Sequence, residues 1–322
     1  MGRTLGSVES SQQLIRELYI DLRAKINAWA CVTKQTAQAR MGYIGQHLVS
    51  VVTGYPGGRS GARGKDLVLP NDEYAEIKTC YRVDQLGKCN DCGAAVSAIE
   101  AECGGCGSKD IKRNDDSKWL IAFQHEDEFA EFMDPRFYYL VLFEFTDLAN
   151  PHTIRASIWR VESAAPGFAY CLIDYYLNIR SRSISKAPFD LWPYALKFEL
   201  MRPLLIYQTL IGSDDAIKTV IFPGRDSPII HRLSPLHSFV RSRNLTQVKI
   251  HDFARRLDIV LPATEKRAEL LKAAQSTLDE RKIPPDVATD ALARALYWAD
   301  IAPHITDLPP AIQAKLKQTK SI

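Results

Sequence analysis

The sequence predicts an α/β protein, a mixed sheet with flanking helices, that carries a four-cysteine insertion and ends in a helical carboxyl-terminal region. Three observations predict it. Segments with apolar residues at helical spacing alternate with short runs rich in β-branched and aromatic residues. Two Cys-x2-Cys pairs interrupt that pattern at about residues 86–110. Pro223-Gly224-Arg225-Asp226-Ser227-Pro228 then punctuates the chain, after which helical periodicity dominates. The expected division is a first domain over 1–225, with the insertion inside it, and a second over 226–322.

Leu14, Ile15, Leu18, Tyr19 and Leu22 recur at helical spacing and predict a helix over Gln12–Ala30; a second is predicted over Ala37–Thr53. A glycine-rich stretch follows, Gly54-Tyr55-Pro56-Gly57-Gly58-Arg59-Ser60-Gly61-Ala62-Arg63-Gly64-Lys65. Its backbone can lie close to a ligand, and Arg59, Arg63 and Lys65 give it three cations suited to phosphate. Leu67, Val68 and Leu69 form a short apolar strand, Pro70-Asn71-Asp72 is turn chemistry, and Tyr74-Ala75-Glu76-Ile77-Lys78-Thr79 reads as the returning strand.

That hairpin sets Asp66 opposite Glu76 and leaves Glu76 and Lys78 on one face, because side chains alternate along a strand. Two carboxylates facing each other repel unless a cation is held between them, and hard oxygen donors favour Mg²⁺. Lys78 would orient an attacking water while the ion neutralises charge on a phosphate. The plain alternative for the same residues is a solvated strand face with an ordinary ion pair.

The order of helix, basic glycine-rich segment, Asp66, turn and Glu76-Ile77-Lys78 resembles the core of the PD-(D/E)xK nuclease superfamily, and within it the type II restriction endonucleases, with the MamI-type group as a candidate. The resemblance implies a restriction-endonuclease-like core in which Asp66 and Glu76 bind Mg²⁺ and Lys78 assists the water. It also implies a Glu or Gln on the preceding helix, for which Gln46 is the candidate. Lys65 stands where the motif's proline would be. The reaction implied is hydrolysis of double-stranded DNA at a specific sequence, leaving 5′-phosphate and 3′-hydroxyl ends. Cutting both strands of a symmetric site predicts a homodimer. A structure-specific repair or junction nuclease and a noncatalytic zinc-ribbon DNA-binding protein remain as alternatives.

Cys89, Cys92, Cys103 and Cys106 form two knuckles, each followed by a glycine that lets the backbone turn its amides toward the sulfurs. Four thiolates with no open position predict a structural Zn²⁺ site holding a segment too poor in apolar residues to fold alone. Disulfides or a redox dithiol are the competing readings. Beyond it, Trp119–Phe123, Phe137–Phe145 and Ile154–Val161 read as strands and Glu126–Met133 as a short helix. Asp134 marks a turn and Glu144 lies in an apolar strand, so both read as structural. The aromatic run Phe168–Arg182 reads as core, and its basic end, with Arg180 and Arg182, as a candidate DNA contact.

Residues 245–257 and 264–271 resemble a SAP-type helix-loop-helix, which implies DNA contact near Lys266 and Arg267, with plain helical packing or dimerisation as the alternative. Ten Lys or Arg against six Asp or Glu over 241–282 make a basic face available there. Across the whole chain the net charge is only +3, so nucleic-acid contact must come from patches. No apolar stretch approaches membrane-spanning length and no hydrophobic leader is present, which predicts a cytoplasmic protein without a membrane partner. No phosphate-cradling or dinucleotide-binding glycine motif occurs, which argues against ATP-driven or nicotinamide chemistry.

Overall fold

A computed structural model of the chain describes residues 3–33, 40–58, 65–81, 86–97, 102–103, 105–112, 119–121, 126–146, 152–182, 184, 189–190, 200–224, 229–230 and 245–318. Two compact units emerge. The first comprises residues 1–119, 137–160 and 205–229, and the second 120–136, 161–204 and 230–322.

The first unit opens with α1 (Val8–Leu14) and α2 (Leu22–Thr33), joined by a π-helical stretch over Ile15–Asp21. The Ser7 hydroxyl accepts from the Ser10 amide and so satisfies one of the orphan donors at the start of α1. Next comes α3 (Met41–Thr53), which buries Met41, Ile44, Gly45, Leu48, Val49 and Val52 and ends at Gly54, whose φ of 80° suits glycine. The main sheet runs in the order β1 (Leu67–Val68), β2 (Tyr74–Tyr81), β7 (Phe137–Phe145), β8 (Ile154–Glu162), β10 (Leu204–Ile211) and β11 (Ile217–Ile221), with β12 (Ile229–Ile230) also on β10. This is a mixed sheet: β1 and β2 are antiparallel, while β2 and β7 are parallel, Glu76 beside Tyr138 and Lys78 beside Leu140.

Parallel neighbours need a crossover, and here it contains the insertion. The strands β3 (Leu86–Cys89), β4 (Ala95–Ser97) and β5 (Ile111–Lys112) make a separate three-stranded sheet in the order β4-β3-β5. Among the described side chains its core is made by Cys89, Val96 and Cys103, flanked by Ala94 and Ile111. The larger core of the unit includes Tyr138, Val141 and Phe143 of β7, with Tyr19 stacked on Phe143 at 5.1 Å between ring centroids. Trp119 donates its indole N–H to the Val141 carbonyl at 2.8 Å.

The second unit is mainly helical. It holds β6 (Leu120–Ile121) paired with β9 (Phe189–Asp190), α4 (Glu126–Glu131), α5 (Pro166–Tyr175), and the carboxyl-terminal helices α6 (Gln247–Arg256), α7 (Arg267–Glu280), α8 (Pro285–Asp300) and α9 (Pro310–Gln318). A π-helical stretch over Tyr176–Arg180 extends α5. α5 and α6 pack on α8, and α9 on α4. Lys249 of α6, though buried, is paired with Asp300 of α8 at 2.7 Å, and the Tyr170 hydroxyl of α5 donates to the same carboxylate at 3.0 Å. The ion pair satisfies a charge that burial would otherwise penalise.

Helices and strands predicted through residue 182 are present among the described residues with ends shifted by a few residues; the start of the helix expected over Ala37–Thr53 falls on residues 37–39, which lie outside the described ones. The strand expected over Trp119–Phe123 is described only at Leu120–Ile121, and residues 122–125 lie outside the described ones. Among the described residues, no helix is long and apolar enough to cross a membrane.

Candidate active site and four-cysteine cluster

β1 and β2 pair with Leu67 opposite Ala75 and Val68 opposite Tyr74, so one more step of the register brings Asp66 opposite Glu76. The turn between them is tight, and Asn71 and Asp72 both adopt positive φ, at 60° and 59°. Asn and Asp tolerate that region better than other residues with a Cβ, and two such residues in succession match the twist of a hairpin. On its other side β1 meets the start of the glycine-rich segment. Gly57 bridges to Leu67, the Gly58 amide donates to the Asp66 carbonyl at 3.1 Å, and the Val68 amide to the Pro56 carbonyl at 3.0 Å. The Asp66 backbone is thereby tied to Gly58 just before the ladder with β2 begins at Leu67.

Its side chain is held as well. Asp66 Oδ2 accepts from the Ile77 amide at 2.8 Å and Oδ1 from Gln46 Nε2 at 2.7 Å. The Gln46 contact depends on how closely α3 lies on β2. At Gly45 a Cβ would fall 1.9 Å from Thr79 Oγ1, so only glycine permits this approach. Across the hairpin, Lys78 Nζ donates to Glu76 Oε1 at 2.5 Å, with both side chains mostly buried. Burial raises the Glu76 pKa, Lys78 opposes that rise, and the Asp66 charge adds to it. Asp66, Glu76, Lys78 and Gln46 therefore converge.

Each Asp66 oxygen spends one acceptor site on the protein and keeps a lone pair, and Glu76 carries repulsion that a cation would relieve. These donors fit a hard divalent ion.

The sulfurs of Cys89, Cys92, Cys103 and Cys106 all lie within 4.8 Å of one another. Cys89 is 3.6 Å from Cys106 and Cys92 3.5 Å from Cys103, and none is in a disulfide. A tetrahedron of Zn–S bonds near 2.3 Å has edges of about 3.8 Å, so the cage has the right size. The two knuckles repeat one design. The Gly93 amide donates to the Cys89 carbonyl at 2.9 Å and the Gly107 amide to the Cys103 carbonyl at 2.7 Å, with φ of 74° and 72° at the two glycines. The Cys92 amide, then the Asp91 amide, outweigh burial and bring Cys89 down to about 7. The Ser108 amide favours the Cys106 thiolate, but crowding by the Cys92 and Cys89 sulfurs overrides it and pushes Cys106 up to about 12. A cluster that cannot ionise fully by itself is one a dication would stabilise.

Residues 28–233 match the family described as MamI restriction endonuclease. The chain belongs to the MamI restriction endonuclease family. It is also similar to the type II restriction enzyme MamI of Microbacterium ammoniaphilum, at 31% identity over 90 residues. That alignment covers 26% of this chain and only 28% of the length of the curated relative. No solved structure matches.

In this MamI-family chain the family match takes in α3, the hairpin and the cysteine cluster, while α6 to α9 lie beyond it. Among the basic residues expected to meet DNA, Arg59 and Arg63 lie outside the described residues. Lys65 is exposed, with its ammonium 5.5 Å from the centre of the Tyr74 ring, beside the hairpin. Arg180 ends the π-helical stretch after α5, and Arg182 is exposed just beyond; both belong to the second unit. Lys266 and Arg267 stand at the start of α7 in the same unit, where Lys266 forms an exposed pair with Glu269 at 3.0 Å. The structure thus brings the four hairpin-centred residues together in one cluster and the four cysteines in another, while Arg180, Arg182, Lys266 and Arg267 belong to the second unit. Asp134 pairs with Lys315, and Glu144 with Arg155, in keeping with structural roles.

Sequence reasoning missed the Ile77 amide as a partner of Asp66. The available signal was the shortness of β1, since a ladder that stops at Leu67 leaves the next amide of β2 to a side chain.

Proposed function

We propose that this MamI-family chain is a type II restriction endonuclease that cleaves double-stranded DNA at a specific sequence, with the PD-(D/E)xK centre at Asp66, Glu76 and Lys78. The observation that carries the reading is the convergence of Asp66, held by Gln46 and the Ile77 amide, on the ion pair of Glu76 and Lys78.

In this reading Asp66 and Glu76 hold Mg²⁺, which supplies charge neutralisation at the scissile phosphate. Gln46 and the Ile77 amide fix the Asp66 carboxylate, so its geometry costs no reorganisation during reaction. The Lys78 ammonium moves from Glu76 to the attacking water, orients it for in-line attack and favours its deprotonated form. The 3′ oxygen leaves, giving 5′-phosphate and 3′-hydroxyl ends. Arg59, Arg63 and Lys65 draw the phosphate backbone toward the hairpin, and Arg180, Arg182, Lys266 and Arg267 add contacts from the second unit. Zn²⁺ in the cysteine cage maintains the ribbon. Two copies act on opposite strands as a homodimer in the cytoplasm.

The test incubates purified protein and Mg²⁺ with genomic DNA and sequences the ends, with Glu76→Ala as control. One short sequence recurring at every end, absent with Glu76→Ala, is expected. Random ends, or none, refute the reading.

A further inference from the structure

The candidate centre accounts for one side of α3 but leaves another unexplained. Its thirteen residues, Met41–Thr53, include no acid, and its buried face packs inward through Met41, Ile44, Gly45, Leu48, Val49 and Val52. Along the solvent side run Arg40 at the N-cap, Tyr43 and His47, all exposed, Tyr43 by 61%. Among the described residues, no hydrogen bond or ion pair engages any of these three side chains. Tyr43 lies three residues from Arg40 and four from His47, so the three form one stripe.

The stripe borders the proposed centre. Gln46, three residues after Tyr43 and directly before His47, is the residue that reaches Asp66 at 2.7 Å. Just under one helical turn, about 4.5 Å along the axis, separates Tyr43 from the side chain that holds the carboxylate. A polyanion delivering a phosphodiester to Asp66, Glu76 and Lys78 meets an acid-free helix presenting a guanidinium, a phenol and an imidazole. Each of these can donate to a phosphate oxygen. The unopposed Arg40 charge gives the complementarity, and Gln46 gives continuity with the site.

We propose that Arg40, Tyr43 and His47 of α3 form a contact surface for the sugar–phosphate backbone of duplex DNA beside the scissile position. This rests on the nuclease reading. The contact is with phosphate and sugar rather than with base edges, so it sets affinity and register without choosing sequence.

The experiment measures binding of dye-labelled, sheared genomic duplex by fluorescence anisotropy over a salt series, with Glu76→Ala as the uncleaving background. Into it are introduced Arg40→Gln, Tyr43→Ala, His47→Ala and, as a control on β11 at the other end of the sheet order, Lys218→Gln. All four positions are exposed, and unchanged thermal melting verifies the fold. Arg40→Gln is expected to reduce the slope of log affinity against log salt by about one. Tyr43→Ala and His47→Ala should each weaken binding about fivefold, the scale of one lost hydrogen bond, while Lys218→Gln changes neither quantity. Affinity and slope unchanged in all three stripe variants overturn the proposal, as does a change confined to sedimentation, which would assign the stripe to a protein interface. The nuclease reading stands or falls separately, on whether the unsubstituted chain cuts. If that chain neither binds nor cuts duplex DNA, both fail.

Discussion

Replacing Gly45 by alanine tests whether the close approach of α3 to β2 builds the candidate centre. The added Cβ would sit 1.9 Å from Thr79 Oγ1 and 3.0 Å from Thr79 Cβ. An ordinary carbon–oxygen contact is about 3.3 Å, so α3 must retreat by about 1.4 Å at this point or Thr79 must rotate. Rotation gives little relief, because Thr79 Cγ2 also lies 3.0 Å from the new atom. A shift of that size carries the Gln46–Asp66 contact from 2.7 Å to about 4 Å, beyond a hydrogen bond. Overpacking of this kind costs about 1–3 kcal/mol, against a gain of up to about 1 kcal/mol from alanine's better helix propensity. The net expectation for Gly45→Ala is destabilisation together with weaker Mg²⁺ binding. Gly42, on the same helix with nothing within 4 Å of its Cβ position, supplies the opposite sign: Gly42→Ala should stabilise by a few tenths of a kcal/mol up to about 1 kcal/mol. Urea unfolding with EDTA reads stability, and calorimetric titration with Mg²⁺ reads the site. Thr79→Ala removes both the oxygen and Cγ2, so the double variant should recover part of each loss, with a coupling of about 1 kcal/mol. Equal stability of Gly45→Ala and the unsubstituted chain, with equal Mg²⁺ affinity, would refute the reasoning.

Three further outcomes are expected. Because burial raises the Glu76 pKa, its ionisation destabilises the metal-free fold: that contribution to stability is present below the ordinary carboxylate range and lost as pH rises through the raised value. Urea midpoints in EDTA should show this decline, and Glu76→Gln should remove it. Elemental analysis should find one zinc per chain, and Cys92→Ser should lose it and open residues 86–112 to protease, since the ribbon has only a small apolar core. Lys249→Ala leaves Asp300 without its ionic partner and should cost about 3 kcal/mol in denaturant unfolding, whereas Lys249→Met, which keeps the packing of the stem, should cost less.

Much of the hairpin was legible because its logic is local. Pro70-Asn71-Asp72 between two apolar runs predicts a turn, and the side-chain period of two then pairs Asp66 with Glu76, as the register has it. The cysteine cage was legible for the same reason, since each knuckle is closed by bonds within five residues. The strands β10 and β11 were not recognised, although Leu204-Leu205-Ile206-Tyr207-Gln208-Thr209-Leu210-Ile211 is a largely apolar run with β-branched Ile206, Thr209 and Ile211, closed by Gly212-Ser213-Asp214-Asp215. The parallel pairing of β2 with β7 was beyond local reading altogether. Its partners are more than sixty residues apart, Ala75 beside Phe137, and nothing short-range in either strand names the other. Gln46 illustrates the middle case, suggested by resemblance and given a physical cause only when Gly45 is seen to lie against Thr79.

The place of the cysteine cluster in the chain bears on the candidate centre. β2 carries Glu76 and Lys78 and must return to a parallel neighbour, so the connection out of Tyr81 has to cross over before β7 begins at Phe137. A connection of that length without internal order would add closure entropy, though only slowly with length. The ribbon occupies part of it as a self-contained sheet in which, among the described side chains, Cys89, Val96, Cys103, Ala94 and Ile111 pack together. Burial among those five side chains alone cannot offset the ordering of some twenty-five residues, at about 1–2 kcal/mol of backbone entropy each. Four ligand bonds to a metal can, and the cage is sized for them. Glu76 and Lys78 themselves are fixed along β2, which lies between β1 on one edge and β7 on the other. Loss of the metal should therefore release the ribbon first and leave the Asp66–Ile77 contact in place.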